Sequence, residues 1–68
     1  MKTSELKKLI GKEIEWIDYY DVIRGSGIKR TALLLDVKGF NLYVDFNGTN
    51  DWLWSKDLRF IKEHTPGE

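Results

Sequence analysis

Apolar and polar residues alternate through the second half of the chain, between residues 41 and 61. Every second residue from 42 to 46 is apolar, Asn47-Gly48 interrupts the alternation, and the apolar pattern resumes at Trp52. A period of two is typical of a half-buried β-strand, and Asn-Gly is a strong hairpin signal. This stretch therefore predicts a strand, a tight turn, a second strand, a 3₁₀ turn near residues 55–58 and a short final strand.

The first half of the chain predicts one helix and two more strands. Apolar residues recur at helical spacing up to Gly11, which can end the helix, and Thr3 or Ser4 can cap its start. Alternation over residues 12–17 indicates a strand. The apolar run 31–37 indicates a central strand buried on both faces. We favour a strand over a helix there because β-branched residues flank the run and a Lys-Gly pair follows it.

Two further segments carry weaker patterns. Residues 18–30 show no clear period and contain Gly25-Ser26-Gly27, so we predict a long connection, or an extended hairpin with these residues at its tip. Long loops in compact domains are often functional. Residues 63–68 have nothing to bury and are predicted to form a mobile tail. The resulting organisation is a helix over residues 1–11 packed on a body over residues 12–62.

The predicted helix has one apolar face, formed by Leu6, Leu9 and Ile10. A helix of two turns is not stable by itself in water, so this face must be covered. We expect it to close an open end of the body as a lid. The alternative is a contact between two copies in a structural or regulatory homodimer.

Composition limits what such a chain can be. A chain of 68 residues forms at most one domain. Because it has no cysteine, we expect neither disulfides nor the usual zinc sites. The single histidine, His64, cannot build a metal site alone, and we predict neither a metal nor a cofactor. Stability must then come from packing of the aromatic residues, three each of Trp, Tyr and Phe, and we predict that Trp16 and Phe60 lie in the core.

The charged residues narrow the function classes. Eleven basic and eleven acidic residues give zero net charge, whereas proteins that bind duplex DNA usually have a basic excess. No apolar run is long enough to cross a membrane, and the N-terminus lacks a signal-peptide core, so we expect a cytoplasmic protein. The carboxylates are scattered, with Asp57 expected to cap the 3₁₀ turn, and we predict no catalytic residues and no enzyme activity.

Two short motifs resemble a known group of domains. The sequences YVDFNG at residues 43–48 and SKDLR at residues 55–59 resemble a turn and a later segment of Tudor domains, and DWLW at residues 51–54 is similar to a run in chromo-barrel domains. The predicted order of elements also resembles that of SH3-like barrels. Over about residues 11–61, the resemblance implies an all-β fold, a small five-stranded SH3-like (Tudor-like) barrel with a short N-terminal helix.

The resemblance also implies a function. Tudor-like domains bind methylated lysine or arginine in an aromatic cage, and others bind nucleic acid or act as scaffolds. Tyr43 and Phe46 resemble two cage walls, and Tyr19 or Tyr20 would supply a third. A polar residue near the cage would be one of two asparagines, Asn47 or Asn50.

The residues themselves also indicate a recognition surface. Trp52 and Trp54 share one face of a short strand while Leu53 takes the other, so we predict that at least one of the two indoles is partly exposed. Exposed aromatic rings anchor partners and attract cations. We therefore expect a small module that binds a protein segment, by its backbone or by a cationic side chain, in an aromatic groove lined by Tyr19, Tyr20, Tyr43, Phe46, Trp52 and Trp54.

A local basic patch supports a second hypothesis. Arg24, Lys29 and Arg30 lie close together in sequence and could bind single-stranded nucleic acid, with the neighbouring tyrosines stacking on bases. The alternative is a solvated loop in which these cations pair with the acidic residues of the same arm, namely Glu15, Asp18 and Asp21.

Overall fold

The computed structural model describes residues 2–65 and is mostly β, with five strands and two short helices in that part of the chain. The second helix was not predicted. In chain order, the elements are α1 (Thr3–Lys7), β1 (Glu13–Asp18), α2 (Tyr19–Arg24), β2 (Lys29–Lys38), β3 (Asn41–Phe46), β4 (Thr49–Trp54), a 3₁₀ turn (Ser55–Asp57) and β5 (Leu58–Glu63).

The strands form one antiparallel sheet in the order β4-β3-β2-β1-β5. The predicted strand over residues 31–37 is confirmed, and it belongs to β2, the central strand of the sheet. Within the described residues, β4 and β5 are the two edges and do not pair with each other. The sheet is therefore open, and the predicted closure into a barrel is not observed.

One face of the sheet carries the core. Trp16 is 1% exposed, and its ring meets the edge of Phe46 at a centroid distance of 5.7 Å. The prediction that Trp16 lies in the core is confirmed. The buried residues come from α1 and from all strands except β4, and they are Leu6, Ile14, Trp16, Ala32, Leu34, Val37, Leu42, Val44 and Leu58.

Helix α1 packs on this core, and it ends at Lys7, short of the predicted end at Gly11. Leu6 is buried and Leu9 packs against the core, so most of the apolar face is used within the chain. The helix begins after Lys2, whose backbone N–H donates to the carboxylate of Glu5 at 3.2 Å. The prediction that Thr3 or Ser4 caps the helix is therefore wrong.

Helix α2 corrects the prediction of an irregular connection. It follows Asp18 directly and ends at Gly25, whose φ of 76° is left-handed. The backbone N–H of Ser26 donates to the carbonyl of Asp21, and the N–H of Gly25 to that of Val22, which closes the helix end. The tip predicted at Gly25-Ser26-Gly27 is thus the termination of a helix.

The turns on either side of β4 were predicted correctly in position. Asn47 and Gly48 both have positive φ, as a tight hairpin turn with the twist of the strands requires, and the Asp45 carboxylate accepts the Gly48 N–H at 2.7 Å. The 3₁₀ turn also forms. Asp57 does not cap it, because the residue before the turn is Trp54 and no side-chain cap is present there.

Phe60 is the main error in the predicted core. Its ring is 70% exposed. Its φ is +58°, a backbone conformation that residues other than glycine rarely adopt. The pairing of β1 with β5 shifts register between Glu15 and Ile17, opposite the segment that contains Phe60. This bulge turns the Phe60 ring away from the core, which the period-two pattern could not predict.

Strand β5 continues further than expected. It includes Glu63, and the backbone N–H of His64 donates to the carbonyl of Glu13 at 2.9 Å. Two residues assigned to the tail are therefore held on β1. Residues 66–68 of the predicted tail lie outside the described residues.

Within residues 2–65, no helix has the length and apolar character needed to span a lipid bilayer.

Candidate functional site

A groove of about 290 Å³ lies between the edge strand β4, the start of α2 and the 3₁₀ turn. Three of its walls are aromatic and two are carboxylates, so we call it the acidic groove. It is lined by Asp18, Tyr20, Trp52, Leu53, Trp54, Asp57 and Leu58.

The aromatic walls of the acidic groove are accessible. Trp52 is 46% exposed and Trp54 is 50% exposed, which confirms that at least one of these indoles is partly exposed. Trp52 is paired with Tyr43 across β3 and β4, and the two rings lie 4.7 Å apart at an angle of 37°. Such cross-strand aromatic pairs hold side chains in place, so Tyr43 positions Trp52 and does not itself line the groove.

The two carboxylates of the acidic groove differ in their partners. Asp18 accepts a hydrogen bond from the Trp16 indole at 3.2 Å and forms an ion pair with the Arg30 guanidinium at 2.7 Å. Asp57 has no ion pair within residues 2–65. The groove therefore offers one neutralised carboxylate and one uncompensated carboxylate.

Cations from the same chain already lie over the indoles. The Lys38 ammonium is 5.7 Å from the centre of the Trp52 ring, and the Lys56 ammonium is 5.8 Å from the centre of the Trp54 ring. Both distances are within the range of cation–π attraction. These rings are accordingly oriented so that an ammonium group can approach them.

The remaining predicted groove residues are placed elsewhere. Tyr19 contacts Tyr20 at 5.8 Å and carries the Arg59 guanidinium over its ring at 4.7 Å. Phe46 packs against the core and Tyr43 occupies the opposite face of β3, because residues three apart on a strand point in opposite directions. The structure thus does not bring together the two side chains that resemble Tudor cage walls.

The basic patch is largely neutralised by its own arm. The Arg30 guanidinium also pairs with Asp21 at 3.4 Å, and the Lys29 ammonium pairs with Glu15 at 3.4 Å. Of the three cations in the patch, only Arg24 has no ion pair among the described residues. Two of the three cations are thus paired with acidic residues of their own segment, as the alternative to nucleic-acid binding expected, and both lie in strand β2 rather than in a loop.

A second groove, of about 550 Å³, lies on the other side of the 3₁₀ turn. Its charged lining consists of two cations without a carboxylate, so we call it the basic groove. Its lining residues are Phe40, Ser55, Lys56, Leu58, Arg59, Phe60 and Ile61.

Backbone hydrogen bonds hold the walls of the basic groove. The Ser55 N–H donates to the Phe40 carbonyl at 2.7 Å, which extends the β3–β4 pairing past the end of β4. The Lys56 ammonium lies 4.8 Å from the centre of the Phe40 ring. Arg59 donates from one nitrogen to the carbonyls of Lys56 and Leu58, at 2.7 and 2.9 Å. Neither cation has a carboxylate partner within residues 2–65.

One carboxylate outside both grooves is strongly engaged. The carboxylate of Glu15, a residue only 8% exposed, lies 3.3 Å from a ring nitrogen of His64 and 3.4 Å from the Lys29 ammonium. The hydrogen bond with His64 lowers the pKa of Glu15, with the Lys29 charge acting in the same direction against the effect of partial burial. This cluster ties β5 and His64 to β1.

Sequence reasoning missed several lining residues. Asp18 and Asp57 were assigned to loop pairing and turn capping, while Phe60 was assigned to the core. The sequence does contain signals for the ends of α2. Asp18 stands at the N-cap position with Asp21 in the first turn, and Arg24 in the last turn is followed by Gly25 at the C-cap.

Comparison with known proteins identifies no relative: no family model, no curated protein and no solved structure matches the chain. In the described part of the chain, no group of three or more metal-ligating side chains is close enough to hold a metal ion.

Proposed function

We propose that this chain is a small non-enzymatic binding module that engages a protein segment by taking one cationic side chain into the acidic groove. The side chain would be a lysine or arginine, methylated or unmodified. The observation that carries this proposal is that Tyr20, Trp52 and Trp54 line one groove together with the carboxylates of Asp18 and Asp57.

This combination favours a cation over other ligands. Aromatic faces attract ammonium and guanidinium groups by about 0.5–2 kcal/mol, and tryptophan is the strongest of the three rings. An uncompensated carboxylate adds Coulomb attraction and would repel phosphate or an acidic side chain. The positions of Lys38 and Lys56 over the two indoles support the same preference, because the chain's own ammonium groups already make these contacts.

The finer fold assignment belongs to the same proposal. We infer an SH3-like, Tudor-like arrangement, because β5 lies beside β1 and a 3₁₀ turn joins β4 to β5. The groove that we propose is not the cage implied by that resemblance. It uses two tryptophans from β4 and one tyrosine from α2 in place of Tyr43 and Phe46.

The proposal can be tested by NMR titration of the folded chain with three short peptides. The peptides are identical except at one position, which holds lysine, trimethyl-lysine or glutamine. We expect the lysine and trimethyl-lysine peptides to shift the indole N–H signals of Trp52 and Trp54, with little effect on Trp16. The glutamine peptide should bind at least about tenfold more weakly, because it lacks the charge.

Two variants of the chain make the test specific. Asp57→Asn removes the uncompensated carboxylate and should weaken binding of the lysine peptide more at low salt than at high salt. Glu13→Gln removes a carboxylate of β1 that lies outside the groove lining and forms no ion pair within residues 2–65, and it should leave binding nearly unchanged. Equal binding of the lysine and glutamine peptides, or shifts confined to residues outside the groove, would overturn the proposal.

A further inference from the structure

The acidic and basic grooves are immediate neighbours. Leu58 lines both of them, and of the consecutive residues Trp54 and Ser55 the first lines the acidic groove and the second the basic groove. Consecutive residues of the 3₁₀ turn carry opposite charges toward the two sides, Lys56 in the basic groove and Asp57 in the acidic groove. A single extended segment can therefore contact both grooves at once.

Resting on the proposed function, we propose that the partner segment carries a carboxylate beside its cationic residue, and that this carboxylate binds Lys56 in the basic groove. The two partner residues would be about two to four positions apart, since the Lys56 ammonium lies 5.8 Å from the Trp54 ring centre and an extended chain advances about 3.3 Å per residue. The preferred ligand is thus a mixed-charge protein segment.

Charge complementarity supports this choice of occupant. Lys12, Lys29 and Arg30 each have a carboxylate partner, whereas Lys56 and Arg59 have none within residues 2–65. Of the two, Arg59 is fixed by its backbone carbonyl acceptors and by the Tyr19 ring. The Lys56 ammonium lies near the rings of Phe40 and Trp54 and forms no ion pair within residues 2–65, so it is the group free to turn toward an incoming carboxylate.

Lys56 also connects the two grooves physically. Its ammonium lies between Phe40 in the basic groove and Trp54 in the acidic groove. A carboxylate that pairs with Lys56 draws the ammonium away from the Trp54 ring. The ring then becomes available to the partner's own cation, so the two halves of the ligand strengthen each other's binding.

The exposed ring of Phe60 completes the basic groove. The left-handed backbone at this residue holds a large apolar side chain 70% exposed beside two cations. Non-glycine residues in this conformation carry a conformational cost and are concentrated at functional sites. An aliphatic or aromatic residue next to the partner's carboxylate would pack on this ring.

Four peptides test the inference by fluorescence anisotropy against the full chain. One carries a lysine and a glutamate three residues apart, and a second replaces only the glutamate by glutamine. A third keeps the glutamate but replaces the lysine by glutamine. A fourth peptide keeps both charges and separates them by about ten residues, which is too far for neighbouring grooves.

The mixed-charge peptide should bind about threefold more tightly than the peptide that has lysine without glutamate, a typical effect for one exposed ion pair. Lys56→Gln should abolish this difference, whereas Lys8→Gln, an exposed lysine of the N-terminal region, should preserve it. The peptide with widely separated charges should behave like the one without glutamate.

The possible failures are distinguishable. If the lysine peptides bind equally with and without glutamate, the mixed-charge inference is overturned while the proposed function stands. If no lysine peptide binds, the proposed function is overturned as well. If a single-stranded oligonucleotide binds in a Lys56-dependent manner and the glutamate has no effect, the basic groove is a nucleic-acid site and the inference is wrong.

Discussion

The acidic and basic grooves use the same short turn and the same shared leucine, Leu58, yet they differ in charge and in how their rings are presented. In the acidic groove, both indoles come from a regular strand, and the Tyr43 ring packs against that of Trp52 at an angle of 37°. In the basic groove, the most exposed ring comes from Phe60, which sits in a bulge with a left-handed backbone. The regular alternation of β4 therefore exposes the indoles of the acidic groove, whereas the bulge in β5 exposes the Phe60 ring of the basic groove.

Some charged residues are ion-paired within the fold, whereas others have no ion pair among the described residues. Arg30 and Lys29 are paired within their own arm, although they looked like a binding patch in the sequence. Lys56 and Asp57 are consecutive residues whose charged groups form no ion pair with any described residue. A cluster of cations in the sequence therefore does not by itself show which charges remain without an ion pair in the fold.

The largest expected change in the free energy of unfolding comes from a comparison of the buried tryptophan with the two tryptophans that line the acidic groove. Trp16→Ala should lower the free energy of unfolding by about 3–5 kcal/mol, because it leaves a cavity in the core. Trp52→Ala and Trp54→Ala should each cost about 1 kcal/mol or less, since both indoles are half exposed. Urea denaturation measures these values, and a cost for either rim residue equal to that of Trp16 would contradict the comparison.

A second prediction concerns the bulge that presents Phe60. Phe60→Gly should be more stable than Phe60→Ala by about 1 kcal/mol, because glycine adopts a positive φ without the steric cost that alanine keeps. Urea denaturation of the two variants gives the difference directly. If the Phe60→Ala variant is as stable as the Phe60→Gly variant, the left-handed backbone at this position imposes no cost. The proposed difference between a regular strand in the acidic groove and a strained bulge in the basic groove would then be wrong.

The third prediction concerns a substitution that changes the charge of the acidic groove without changing any residue that lines it. Arg30→Gln removes the partner of Asp18 and gives the groove a second uncompensated carboxylate. Binding of the lysine peptide should strengthen about two- to fivefold, within the range of exposed ion pairs. Lys29→Gln is the matched control, because it frees Glu15 outside the groove and should leave affinity unchanged. A loss of affinity in Arg30→Gln would favour the basic patch as the binding surface.

The smallest effect concerns Glu15, a carboxylate whose partners are already assembled. Its pKa is lowered in the folded chain from an ordinary value of 4.5, mainly by the hydrogen bond with His64. Folding therefore favours the ionised form, and this contribution is complete above the unfolded pKa and lost as the pH falls through the lower, folded pKa. The stabilisation should decline in acid, below about pH 4.5.

His64→Gln provides the comparison for that decline. Stability of the wild-type chain should fall more steeply than that of the variant as the pH falls from about 5 to about 3, as measured by urea denaturation. The slope, not the absolute stability, is the readout, because the substitution also changes contacts at the end of β5. Parallel slopes would show that His64 does not hold the pKa of Glu15 down.

Much of the sheet was predictable from local patterns. The period of two placed the strands around the Asn47-Gly48 turn, and two successive residues with positive φ explain why that dipeptide occurs there. The exposure of at least one indole of β4 followed from two large rings on one strand face. Helix α2 was missed because its apolar residues remain exposed and show no core-facing stripe, although its end signals are present.

The candidate site was only partly predictable. Tyr20, Trp52 and Trp54 were among the predicted groove residues, but Tyr43 and Phe46 could not share a cage because strand residues three apart face opposite sides. Asp57 gave no sequence signal for ligand binding, since an acidic residue in a polar turn usually serves the turn. Its position in a groove depends on where the edge strand, the turn and α2 meet.

The sequence alone determined the strands, the hairpin turn and an aromatic rim, because alternation and turn chemistry act over a few neighbouring residues. Tertiary structure decided which charges are neutralised, where the bulge exposes Phe60, and which rings meet carboxylates. Those outcomes depend on residues far apart in the chain, such as Asp18 beside Trp52 and Glu15 beside His64. No local pattern encodes such distances, because they are set by how the strands, the helices and the turn pack together.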